Sequence, residues 1–105
     1  MKEKTVAELK EMIDRGDDFQ LIDVREPNEF EICNLKGELI PMGEIPANAD
    51  KISKDKPVII HCRSGVRSAR MINYLEENNG FTNLYNLKGG ILAWASEIDP
   101  SMPKY

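Results

Sequence analysis

Pro57-Val58-Ile59-Ile60-His61-Cys62-Arg63-Ser64-Gly65-Val66-Arg67 decides the architecture of this 105-residue chain. A β-branched run behind a proline predicts a short buried strand over 57–61. Ala69, Ile72 and Leu75 then recur at helical spacing, which predicts a helix to about Asn78, stopped by Gly80. A strand therefore runs through a tight loop directly into a helix, with Cys62 at the junction.

The same alternation extends in both directions. Upstream, Thr5 and Glu8 form a capping box ahead of Val6, Leu9 and Ile13, and Gly16 ends that helix. Phe19 to Val24 reads as a buried strand in which Asp23 is anomalous. Pro27 opens a short helix to about Ile32. Leu39-Ile40 is a short strand, and Gly43, Pro46 and Asn48 make the middle a loop with one weak helix. Downstream, Leu84 to Leu87 is a strand, Gly89-Gly90 a turn, and Ile91 to Ser96 the last helix. Pro100 and Pro103 mark a non-helical tail. Strands alternating with helices imply an α/β fold with a parallel sheet covered on both faces and a site at the carboxyl ends of its strands. We expect one domain over residues 1–98 and a tail over 99–105.

Composition narrows the function. The chain is 41% apolar and 30% charged, values of a soluble globular domain rather than a disordered one. No apolar run approaches a membrane span, and the first residues lack the apolar core of a signal peptide, so a cytoplasmic protein is expected. With 14 basic and 18 acidic residues the net charge is −4, which disfavours general binding to nucleic acid or anionic membrane. Two cysteines, Cys33 and Cys62, and one histidine, His61, are too few and wrongly spaced for a structural zinc site, so no metal is expected. The charge is also unevenly spread. Residues 1–31 hold ten acids, whereas residues 56–75 hold none and carry Lys56, Arg63, Arg67 and Arg70. Cys62 lies inside this acid-free window.

A free thiol titrates near 8.5, so only a small fraction is reactive thiolate at neutral pH. Cys62 leaves the sheet where a helix starts, and unpaired loop and first-turn amides there face the sulfur. Gly65 lets the loop curl into a concave anion nest, and Arg63 and Arg67 add positive charge. Lowering the pKa by about two units stabilises the thiolate by roughly 2.7 kcal/mol, within reach of a helix terminus with arginines nearby. His61 is expected to be a satisfied structural histidine, because adjacent strand residues point to opposite faces. Ser64 and Ser68 either donate to the thiolate or cap the helix. Cys33, without a glycine-and-arginine setting, is expected to be a packing or semi-exposed thiol.

Three motifs in this order resemble the rhodanese-like domain family: Leu21-Ile22-Asp23-Val24-Arg25-Glu26-Pro27, His61-Cys62-Arg63-Ser64-Gly65-Val66-Arg67-Ser68, and Leu87-Lys88-Gly89-Gly90-Ile91-Leu92-Ala93-Trp94. The resemblance covers roughly residues 2–98. It implies a three-layer α/β/α fold around a central five-stranded parallel sheet, and a sulfurtransferase in which Cys62 carries a sulfane sulfur as a persulfide. The donor it implies is a small sulfur oxyanion such as thiosulfate; the acceptor is cyanide, a small thiol or a sulfur-accepting protein. No cofactor is implied, and nothing requires more than a monomer. Arg63, Ser64, Gly65, Val66 and Arg67 then form the substrate loop. Asp23 is expected to hold an arginine or the loop in place, and Arg25 to line the rim and attract anions. The family commonly has Gly-His-Ile-Pro-Gly-Ala after its Asp-x-Arg segment; here Cys33-Asn34-Leu35-Lys36-Gly37-Glu38 stands instead, which leaves the local turn in question.

Two other readings compete. Cysteine phosphatases place an arginine six positions after the cysteine, where this chain has Ser68; Arg67 comes one position early, so the cradle is smaller. A non-catalytic binding module of the same family, or a dedicated persulfide carrier, would share the fold. Such modules often lack the loop cysteine, which is present here.

Overall fold

The computed structural model describes residues Met1–Tyr105. Five strands, β1 (Glu3–Lys4), β2 (Gln20–Asp23), β3 (Glu38–Leu39), β4 (Val58–His61) and β5 (Leu84–Leu87), form one parallel sheet in the order β1-β5-β4-β2-β3. The helices are α1 (Val6–Arg15), α2 (Pro27–Ile32), α3 (Val66–Asn79) and α4 (Gly90–Glu97). The fold is the α/β arrangement expected, with β4 in the centre of the sheet.

Each helix follows from local chemistry. Thr5 and Glu8 close the capping box of α1, and Gly16 ends the helix in the left-handed conformation. Pro27 is at the start of α2, where its missing N–H costs nothing. Gly80 ends α3 as expected. Two elements differ from the expectation. The middle segment forms two short 3-10 turns, Met42–Glu44 and Pro46–Lys51, rather than one weak helix. The other is β1 itself, Glu3–Lys4, whose two residues are too few to show any periodicity and which exists because β5 offers it an edge.

The two faces of the sheet are covered by different elements. Val58, Ile60 and Cys62 pack with Ile72 and Leu75 of α3 and with Ile45 and Ile52 of the middle segment. Ile59 and Leu87 pack with Val6, Leu9 and Met12 of α1 and Trp94 of α4. Since strand residues alternate, Cys62 belongs to the α3 face and His61 to the α1–α4 face. That separation keeps the imidazole away from the thiol.

The segment Cys33–Glu38 rebuilds its turn with its own groups. The Asn34 side chain accepts from the Lys36 amide at 2.9 Å and donates to the Phe30 carbonyl at 3.1 Å, while Lys36 takes φ +61°. Gly37 lies against Leu21 so closely that a Cβ would come within 2.9 Å of its side chain.

Candidate active site

Cys62 follows the last residue of the central strand, at the carboxyl end of the sheet, and is 1% exposed. Gly65, at φ +107°, turns the chain back so that its amide donates to Cys62 Sγ at 3.1 Å. No side chain caps α3, so its free amides are left to face the sulfur. Ser68 Oγ lies 3.4 Å from Sγ. Burial alone pushes the thiol up, but the Ser68 hydroxyl and the amides of Ser68, Gly65 and Ser64 outweigh it, and the thiol pKa is lowered from its ordinary value.

The loop is held from below by α4. The amides of Ile91 and Leu92 donate to the carbonyls of Cys62 and Arg63 at 3.0 and 3.1 Å. Those carbonyls therefore point into the fold. Gly90, at φ +62°, makes this approach possible: a Cβ there would lie 2.4 Å from the Arg63 oxygen.

The charged residues are arranged differently from the expectation. Asp23 does hold an arginine, as expected, but that arginine is Arg25, which is 0% exposed and does not line the rim. Arg25 Nε donates to both Asp23 oxygens at 3.0 Å and Nη2 to Asp23 Oδ2 at 2.7 Å. Its remaining donors reach the carbonyls of Cys33 (2.8 Å) and Glu29 (3.3 Å) and the hydroxyl of Tyr105 (2.8 Å). With its donors spent on protein groups in a closed space, Arg25 is a buried post. Arg67 makes a two-pronged pair with Glu29 of α2, at 2.7 and 2.9 Å. This pair, together with hydrogen bonds from the Glu26 amide and the Tyr105 hydroxyl, draws the Glu29 pKa down to about 2 against the pull of partial burial. Arg63 Nε donates to the main-chain oxygen of Tyr105 at 2.6 Å, and its guanidinium lies 5.1 Å from the Tyr105 ring centre. Ser64 and Val66 are exposed at the lip of the loop, Val66 by 60%.

His61 also departs from the expectation. It is fully buried, yet neither ring nitrogen has a hydrogen-bond partner; Nε2 lies 3.7 Å from Asp23 Oδ2. Desolvation outweighs the attraction of Asp23 and lowers the imidazole pKa from its usual value. Cys33 is buried and unbridged, and its carbonyl serves Arg25.

Three residues at the site were not singled out from the sequence: Glu29, Asn86 and Tyr105. Asn86 had a readable signal, a polar side chain in the apolar strand Leu84–Leu87, where burial demands partners. Glu29 lies in the first turn of α2 and Tyr105 in the tail, and neither gave a signal in the sequence. No three His, Cys, Asp or Glu side chains are grouped to hold a metal ion. A cleft of about 500 Å³ between Phe19, Gln20, Glu38, Asp50 and Lys56 opens at the other end of the sheet, away from Cys62.

A family model described as Rhodanese-like domain matches residues 5–97. The chain is 40% identical to a Rhodanese-like/PpiC domain-containing protein 12, chloroplastic, of Arabidopsis thaliana, over 85% of this chain and 31% of that protein. It spans under a third of the length of the first curated relatives it matches. It is also 40% identical to the Putative sulfurtransferase YtwF of Bacillus subtilis, over 95% of this chain and 96% of that one. The crystal structure of a rhodanese-like domain protein from Staphylococcus aureus superposes with a TM-score of 0.83 at 35% identity, covering 100% of this chain and 99% of the other.

Proposed function

The chain belongs to the rhodanese-like domain family, and from that premise we propose that it moves sulfane sulfur through a persulfide on Cys62. The reading is supported most directly by the sulfur of Cys62 sitting 3.1 Å from the Gly65 amide at an uncapped helix terminus, with its thiol drawn below the ordinary range. The Cys62 thiolate attacks the outer sulfur of a donor such as thiosulfate. The donor's S–S bond breaks and sulfite leaves with the bonding pair. The negative charge then rests on the terminal sulfur of the persulfide, where loop amides stabilise it. An acceptor (cyanide, a small thiol or a protein thiol) attacks that sulfur and restores the thiolate, a two-step covalent path with ping-pong kinetics.

The named relatives support sulfur transfer in general, and the particular donor and acceptor are part of the proposal. Arg63, Ser64, Gly65, Val66 and Arg67 surround the entering donor, while Asp23 and Arg25 act beneath the loop as a buried brace. One observation favours a persulfide carrier serving a protein acceptor as the second reading: Arg63 and Arg67 are both engaged by protein groups, which leaves less positive charge for a small dianion.

Intact-mass spectrometry after thiosulfate treatment tests the proposal. A gain of about 32 Da, the mass of one sulfur, mapped to Cys62 and absent in Cys62→Ser, is the expected result. Unchanged mass with every sulfane donor tried would overturn it. Fast thiosulfate:cyanide turnover marks the enzyme, whereas a stable adduct with slow turnover marks the carrier.

A further inference from the structure

Asn86 lies on β5 directly beneath the Cys62 loop and is 6% exposed. Strand alternation puts it on the same face as Leu84, toward α3. Its amide nitrogen donates to the Gly65 carbonyl at 3.0 Å, and its Oδ1 accepts from Ser68 Oγ at 2.6 Å. The orientation of this amide is fixed by chemistry. The Gly65 carbonyl has no proton to give, so Nδ2 faces it and Oδ1 faces Ser68. The single hydroxyl proton of Ser68 is therefore committed to Asn86. What Ser68 turns toward Cys62 Sγ, 3.4 Å away, is an oxygen lone pair.

This arrangement suits a protonated thiol, whose S–H donates to Ser68 Oγ and extends the chain to Asn86. A thiolate would face that lone pair, so Ser68 stabilises it only after its O–H has turned toward the sulfur. When the Cys62 proton leaves to a solvent base, the Ser68 hydroxyl gains by turning its O–H toward the sulfur, and Asn86 Oδ1 then loses its donor in a buried place. One covalent bond breaks, the S–H of Cys62, with its proton taken up by the base; the remaining changes are hydrogen bonds.

We propose that Asn86 is a positioning residue for Cys62, acting through Ser68 as a two-position donor: the Ser68 O–H points at Asn86 while the sulfur is protonated and turns to point at the sulfur when it ionises. Asn86 thus competes with the thiolate for one proton, while its grip on Gly65 keeps the loop amide aimed at the same sulfur. The inference rests on Cys62 being the reacting sulfur, but its test needs no sulfur donor.

The test is the pH dependence of iodoacetamide alkylation at Cys62 in four full-length proteins: wild type, Asn86→Leu, Ser68→Ala and the double variant. Cys33→Ser is present throughout so that one thiol is read. With Ser68 present, loss of Asn86 removes the competitor; in the Ser68→Ala background there is no hydroxyl proton to release. The Cys62 pKa shift caused by Asn86→Leu is therefore expected to lie about one unit lower with Ser68 than in the Ser68→Ala background, a tenfold non-additivity. Equal shifts in both backgrounds would overturn the proposal and reduce Asn86 to a brace for Gly65. Asn86→Asp in the same two backgrounds covers the case in which the leucine variant does not fold. Its carboxylate holds the hydroxyl proton more firmly, so the pKa rise is expected to be larger with Ser68 than in the Ser68→Ala background; an equal rise would count against the proposal. Failure of the mass test for persulfide would leave this result readable, since alkylation reports only ionisation.

Discussion

Arg25 is fully buried, with its guanidinium held by protein groups. Removing it leaves Asp23 buried and uncompensated, so Arg25→Ala is expected to cost about 3–5 kcal/mol. The lower urea midpoint of the variant checks this. Had Arg25 lined the rim, the same change would raise the donor KM and leave the midpoint alone. Gly90 is the second sensitive position. Gly90→Ala places a Cβ against the Arg63 backbone at a positive φ, a combined strain of roughly 2–5 kcal/mol. Slower alkylation of Cys62 is expected to accompany the loss of stability, because the loop above Gly90 has to move. Both residues were visible in the sequence as parts of motifs, yet the motif does not say whether a charged side chain faces solvent or the interior.

At the scale of elements, α2 and the tail meet the helix that follows Cys62. Glu29 ties α2 to α3 through Arg67, and Tyr105 joins the pair through its hydroxyl. Glu29→Gln keeps the shape of the side chain and removes its charge, which leaves the Arg67 cation free to meet an anionic donor. The thiosulfate KM is expected to fall about two- to fivefold at low salt and to return toward wild type at high salt, as for a partly exposed charge. Steady-state kinetics at two ionic strengths measures this. Pro27 announced α2, and the β-branched run announced β4, because each carries its signal within a few residues. The pairing of Glu29 with Arg67 joins positions 38 apart in the chain, and no local pattern encodes such a meeting.

For the whole molecule, two largely buried side chains, His61 and Glu29, make stability depend on pH in separate windows between pH 8 and 2. His61 has its pKa lowered by burial from an ordinary 6.5. The unfolded chain therefore binds this proton first, and stability falls as pH drops below about 6.5. Glu29 has its pKa lowered from 4.5 to about 2. Its contribution is complete above about 4.5 and is lost as pH falls toward 2. Urea midpoints recorded from pH 8 to 2 are expected to decline in both windows. His61→Leu flattens the upper one and Glu29→Gln the lower one.

The sequence by itself determined the α/β class, the four helices, the central strand and the placement of Cys62 at a strand–helix junction with Gly65 in the bend. These follow from short-range rules: periodicity of apolar residues, caps, and the turn preferences of glycine and proline. Only the tertiary structure decided what each polar side chain spends its hydrogen bonds on. Arg25 turned inward, Arg67 found Glu29, Tyr105 folded back onto Arg63, and Asn86 reached up to Ser68 and Gly65. The physical reason is that a buried polar group must find its partner among whatever the packing brings near, and packing joins residues that the chain keeps far apart.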